Sequence, residues 1–130
     1  MITIDAMHTV RDTARTVINT HKADYLMTVK GNAPEIHETL ACIDWGKDAT
    51  DTFKENVEKV HGRIEQRRIR TLTPPRGVVN HPRVAQLFRI ERLRINVKSG
   101  VQSIETAYGT TSVPLDRGFP ERLLAWNRGH

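Results

Sequence analysis

Two strand-like runs, 86–97 and 101–111, are separated only by Lys98-Ser99-Gly100 and a short approach to it. A turn of this composition between runs rich in β-branched and aromatic residues points to an antiparallel β-hairpin. In the first run Phe88 and Ile90 share one face, while Leu93, Ile95 and Val97 share the other. Side chains alternate with a period of two along a strand, so this change of phase predicts a bulge at Glu91-Arg92. The preceding run, 63–72, has strand-forming residues but poor alternation, and Pro74-Pro75 and Gly77 end it.

The N-terminal part follows a different pattern. Ile2 and Ile4 lie on one face of a short strand. Thr9 is an N-cap candidate, and Met7, Val10, Ala14, Val17 and Ile18 form an apolar helical stripe. Residues 25–29 read as a buried strand, ended by Lys30-Gly31-Asn32. Pro34 then opens a second helix over 34–43, with Ile36 and Leu40 inward. Strand, helix, strand, helix in this order predicts an α/β sheet with a parallel strand pair and a right-handed crossover. Phe53, Val57 and Val60 fit one stripe of a surface helix. Pro120 opens a last helix, with Leu123, Leu124 and Trp126 as its apolar residues.

Charge is unevenly distributed. Residues 1–60 carry 7 Lys/Arg and 10 Asp/Glu, a net −3; residues 61–98 carry 10 and 2, a net +8; residues 99–130 carry 3 and 3. The net +5 of the chain therefore resides in the central block. A concentrated basic stretch is the footprint of a polyanionic partner, or else a charged sheet edge that resists aggregation. The DNA-contact candidates are Arg63, Arg67, Arg68, Arg70, Arg89, Arg92 and Arg94. Residues two apart on a strand share a face, so Arg68 pairs with Arg70 and Arg92 with Arg94. The planar guanidinium fork matches phosphate. Without interleaved aromatics, backbone contact is expected rather than base stacking. The bland alternative is a solvated face balanced by Glu65 and Glu91.

The single cysteine, Cys42, allows no intrachain disulfide and reads as a small buried hydrophobe. No apolar run is long enough to span a membrane, and no secretory leader is visible, so a cytoplasmic location is expected. Histidine and cysteine spacing gives no zinc pattern, and Ser99 and Ser103 have no triad partners at recognisable spacing. Asp5 directly follows the first strand, where reactive groups of open α/β sheets gather. A carboxylate there can ligate a hard cation, or can simply cap the following helix.

Several blocks in order resemble one family. They are Thr3-Ile4-Asp5-Ala6-Met7-His8-Thr9, Ala23 through Pro34, and His61-Gly62-Arg63-Ile64-Glu65-Gln66-Arg67. Phe88-Arg89-Ile90-Glu91-Arg92, Tyr108 through Pro114, Leu123-Leu124 and Asn127-Arg128-Gly129-His130 follow. Together they resemble the DDE-type insertion-sequence transposases of the ISAs type, which include the H-repeat-associated proteins. The resemblance implies a partial RNase H-like fold with an inserted antiparallel β-hairpin and a C-terminal helix. Residues 1–43 would be core units, 61–114 the inserted β segment and 119–130 the start of the helix that bears the catalytic Glu. It also implies metal-dependent DNA strand cleavage and transfer, with two Asp and one Glu holding Mg²⁺ or Mn²⁺.

Asp5 matches the second Asp of that set, as catalytic residue and metal ligand. The first is expected before Met1 and the Glu just after His130, so the chain is expected to be inactive alone. Partners implied are double-stranded DNA at transposon ends and full-length transposase, with no membrane. Val10 and Ala33 stand where the family usually has Gln. A non-enzymatic basic DNA-binding protein and a functionless remnant of a mobile element are the alternatives. Loss of upstream strands would leave the 2–4 and 25–29 strands with open apolar edges and a marginal monomer.

Overall fold

The computed structural model describes residues 2–4, 24–29, 34–74 and 83–128. In chain order these form β1 (Ile2–Ile4), β2 (Tyr25–Val29), α1 (Pro34–Ala41), α2 (Trp45–Asp48), β3 (Asp51–Lys54), β4 (Glu58–Val60) and β5 (Arg63–Leu72). β6 (Gln86–Asn96), β7 (Gln102–Thr111) and α3 (Pro120–Arg128) complete them. The described strands make one sheet in the order β1-β2-β7-β6-β5-β3, and β4 joins β5 beside β3. The chain is mixed α/β, dominated by antiparallel pairing.

The expected parallel pair is present, with Ile2 opposite Tyr25 and Ile4 opposite Met27. The crossover between them, including the Thr9 helix, and Asp5 itself lie outside the described residues. β2 lies inside the sheet: β1 flanks Tyr25–Met27 on one side and β7 flanks Leu26–Val29 on the other. The expectation of an exposed Tyr25 strand is therefore corrected. β7, within the expected 61–114 segment, supplies that cover by pairing with β2 in the same sheet.

Local chemistry accounts for the helices. Pro34 and Glu35 begin α1, where a missing N–H costs nothing and a negative charge meets the positive end of the helix dipole. Asp44 caps α2 by accepting from the Lys47 N–H at 3.1 Å. The Trp45 indole N–H donates to the Leu40 carbonyl at 2.9 Å, tying α2 to the end of α1.

Three other expectations are corrected. Residues 53–60 are not a helix; they form the end of β3, a short connection and β4. The stripe of Phe53, Val57 and Val60 arises differently: Phe53 sits opposite Ile69 and Val60 opposite Arg63, in two separate strand pairings. His61 (φ 48°) and Gly62 (φ 76°) make the two-residue turn between β4 and β5. Positive φ at both central positions suits the twist of a tight hairpin.

No bulge interrupts β6 either. Its register runs unbroken from Leu72 opposite Leu87 to Arg63 opposite Asn96, and from Gln86 opposite Thr111 to Ile95 opposite Gln102. The phase change occurs within continuous pairing: Phe88 and Ile90 enter the α3-face core, while Leu93 and Ile95 lie on the other face. Finally, Cys42 is exposed, because it lies just past the last turn of α1.

Each face of the sheet carries its own core. Leu26, Ile69, Phe88 and Ile90 pack with Leu123 and Leu124 of α3, and Trp126 packs against that cluster, as its sequence suggested. On the other face Val29 and Leu87 pack with Leu40 of α1 and Trp45 of α2. The two faces are named below for α3 and α2.

The seam between β2 and β7 joins distant parts of the sequence. The Tyr25 N–H donates to Ser112 Oγ at 2.9 Å, the Ser112 hydroxyl donates to Asp24 Oδ1 at 2.9 Å, and the Thr111 hydroxyl donates to the Tyr25 carbonyl at 2.7 Å. Gly109 is required here: a Cβ would collide with the Phe88 ring and with the Met27 carbonyl. Gln86, fully buried, donates to the Val113 and Gly118 carbonyls at 2.7 and 2.9 Å and so fixes the turn that leads into α3.

Candidate nucleic-acid interface

Strand pairing places the seven candidate arginines on two faces rather than one. Opposite residues of an antiparallel pair project to the same side. Arg63, Arg67, Arg92 and Arg94 therefore belong to the α3 face, and Arg68, Arg70 and Arg89 to the α2 face. Arg68 with Arg70, and Arg92 with Arg94, do share faces, but the two pairs point apart.

A glutamate sits at the centre of each group. On the α2 face Glu91 Oε1 lies 2.7 Å from Arg68 Nη2, 2.9 Å from Arg89 Nη2 and 3.9 Å from Arg70 Nη1. Burial pushes the Glu91 carboxyl up, but the Arg68 hydrogen bond and the charges of Arg89, Arg68 and Arg70 outweigh it and hold the carboxyl below its ordinary range. On the α3 face Glu65 contacts Arg92 at 3.2 Å, Arg94 at 3.4 Å and Arg63 at 3.9 Å. Its carboxyl is likewise pushed up by burial and brought below the ordinary range by Arg92, Arg63 and Arg94. Arg94 also reaches Glu105 at 3.4 Å.

These groups are half-buried rather than floating in solvent. The Arg89 and Glu91 side chains are each 19% exposed, and Arg68 is 35% exposed. Partial desolvation strengthens such contacts relative to surface pairs. The Nε atoms of Arg68, Arg89, Arg92 and Arg94 are buried without a hydrogen-bond acceptor among the described residues.

Sequence reasoning missed several residues of this surface. Lys54 lies opposite Arg68, and Thr52 opposite Arg70. Trp45 lies under Arg89, whose guanidinium carbon is 5.9 Å from the ring centroid. Lys54 could not be placed while 53–60 was read as a helix. His61 is a turn residue.

Among the described residues no group of three or more His, Cys, Asp or Glu could hold a metal ion. Asp24 stands at the start of β2 and is engaged by Ser112 and Arg117. A divalent cation is therefore not matched by the described residues alone. No described helix is long and apolar enough to cross a membrane. No protein-family model, curated protein or solved structure matches the chain.

Proposed function

We propose that this chain is part of the catalytic domain of a DDE-type insertion-sequence transposase, and that these residues contribute backbone binding to double-stranded DNA. The observation that carries the reading is the convergence of the resembling blocks. Asp24 and Tyr25 from one block meet Thr111 and Ser112 from another through three buried or half-buried hydrogen bonds. Asn127 of a third block lies 3.4 Å from Thr28 of the first.

On this reading β1 and β2 are the parallel strands of an RNase H-like core, and β5, β6 and β7 extend it. Asp5, the next residue after β1, would stand at the carboxyl end of a core strand. Two cations, Mg²⁺ or Mn²⁺, would clamp the attacking and leaving oxygens of a phosphoryl transfer when bound by the complete domain. Asp5 supplies one carboxylate of that set, and positions 1–130 match neither of the other two. The residues described here hold the DNA; they do not cut it.

The DNA on either side of the reading frame tests this. Expected are terminal inverted repeats and flanking frames that encode the missing Asp and Glu. Unrelated intact genes abutting both ends, with no repeats, would overturn it. A non-enzymatic DNA-binding protein is the second reading, favoured by the surplus of guanidinium donors around Glu91 and Glu65. Interference with a full-length transposase in a transposition assay would support that role.

A further inference from the structure

We infer that the DNA backbone lies on the α2 face of the sheet, along a groove from Trp45 past Lys54 and Arg68, and that the α3 face takes no part. This rests on the DNA-binding reading and adds the side of the molecule that carries it. Among strand residues, register assigns Lys54, Lys59, Arg68, Arg70, Arg89 and Glu91 to the α2 face, five positive charges against one, while α1 and α2, which cover another part of that face, carry Glu35, Glu38, Asp44 and Asp48 against Lys47. Arg63, Arg67, Arg92, Arg94, Asp51, Glu58, Glu65 and Glu105 fall on the α3 face, four against four, a net of zero. Within the strand residues of 61–98 themselves the split is +2 on the α2 face and +3 on the α3 face, so the excess on the α2 face is supplied by Lys54 and Lys59 of the edge strands.

Surface shape agrees with charge. At the β3 edge an open hollow of about 480 Å³ is lined by Trp45, by Thr52, Lys54, Arg68 and Arg70 of the α2 face, and also by Asp51 and Phe53, which the register assigns to the α3 face. A second hollow of about 120 Å³, reaching Leu93 and Ile104, shares Lys54 and Arg68 with it, so the two form one track. Asp51 is the one carboxylate lining the larger hollow, and it accepts from the Thr52 N–H at 2.8 Å. The hollow between α3 and β4 is lined instead by Glu55, Glu58 and Glu121. Three carboxylates there repel a phosphate backbone.

The track suits a polymer rather than a single anion. Lys54, Arg68 and Arg89 belong to adjacent strands, roughly 4.8 Å apart, and Arg68 and Arg70 are roughly 6.6 Å apart along β5. Arg70 stands 3.9 Å from Glu91, beyond hydrogen-bond reach, and its side chain is 23% exposed where it lines the larger hollow. Acids of α1 and α2 are not among the lining residues of either hollow.

The test is a fluorescence titration of the 130-residue chain with a labelled mixed-sequence duplex across a salt series. Compared with the parent are Lys54→Gln with Arg70→Gln, and Arg63→Gln with Arg94→Gln. Thermal melts verify folding, and Arg63→Gln alone replaces the second pair if Arg94→Gln disrupts the Glu65 cluster. The α2-face pair should lose at least about tenfold in affinity at 0.1 M salt, with a salt slope shallower by roughly 2. The α3-face pair should stay within about twofold. Equal or reversed losses, with the parent still binding, would overturn the face assignment and leave DNA binding standing. A parent that binds no duplex, or prefers single-stranded RNA, would overturn the DNA reading beneath it.

Discussion

Glu91→Gln removes the charge that holds three guanidiniums together while keeping the shape of the side chain. Glu91 Oε1 accepts hydrogen bonds of 2.7 and 2.9 Å from Arg68 and Arg89, and Arg70 lies 3.9 Å away. Hydrogen bonds to charged groups contribute roughly 1.5–3 kcal/mol each when shielded, and much less in water. Glutamine retains an oxygen acceptor but leaves the three cations to repel each other. Discounted for the 35% exposure of Arg68, the expected loss is about 2 kcal/mol. For a chain of 130 residues that lowers the melting midpoint by roughly 6–10 °C. The assay is a melt followed by circular dichroism at pH 7, repeated through the acid range. Glu91 has its carboxyl held below the ordinary value in the native state, so its contribution is complete above the unfolded-chain value near 4.3 and fades as pH falls through the lower native value. The gap between parent and variant should be constant from pH 7 to pH 5 and should close only in stronger acid. A variant that melts at or above the parent at pH 7, or a gap unchanged at pH 3, would refute the reasoning.

Gly109→Ala should destabilise by about 3 kcal/mol or more, read by denaturant unfolding, because the new methyl meets the Phe88 ring and an immovable Met27 carbonyl. Gln86→Leu should cost roughly 2–4 kcal/mol in the same assay, since the Val113 and Gly118 carbonyls both lose their donor. Supercoiled plasmid incubated with the chain and Mg²⁺ should remain unnicked, and nicking that Asp5→Ala abolishes would contradict the inactive-alone reading.

Much of the architecture was legible because periodicity reports burial. The 25–29 strand has one apolar face per core, and its neighbours in sequence end at a Gly and a Pro. The Leu123-Leu124 pair foretold α3 for the same reason. Edge strands were harder: β3 and β4 bury one partly covered Phe53 between them, so their pattern is too weak to separate from a helix. The phase change in β6 was real, but the pairing on both sides runs through it without a bulge, which no local window reveals. Cys42 shows the limit of residue-type averages, because position past a helix end decides exposure. The candidate site was half visible. Arginine pairs on each strand followed from spacing, whereas the partition of the arginines between two faces needed the register of the strands.

The most direct measurement is the affinity of the chain for duplex DNA at 50 mM and at 200 mM salt. Contacts to the backbone by three or four of the α2-face cations would release as many counterions, so affinity should fall by roughly 40- to 150-fold between the two conditions. Affinity that holds constant across that range, or no complex at the lower salt, would contradict the account.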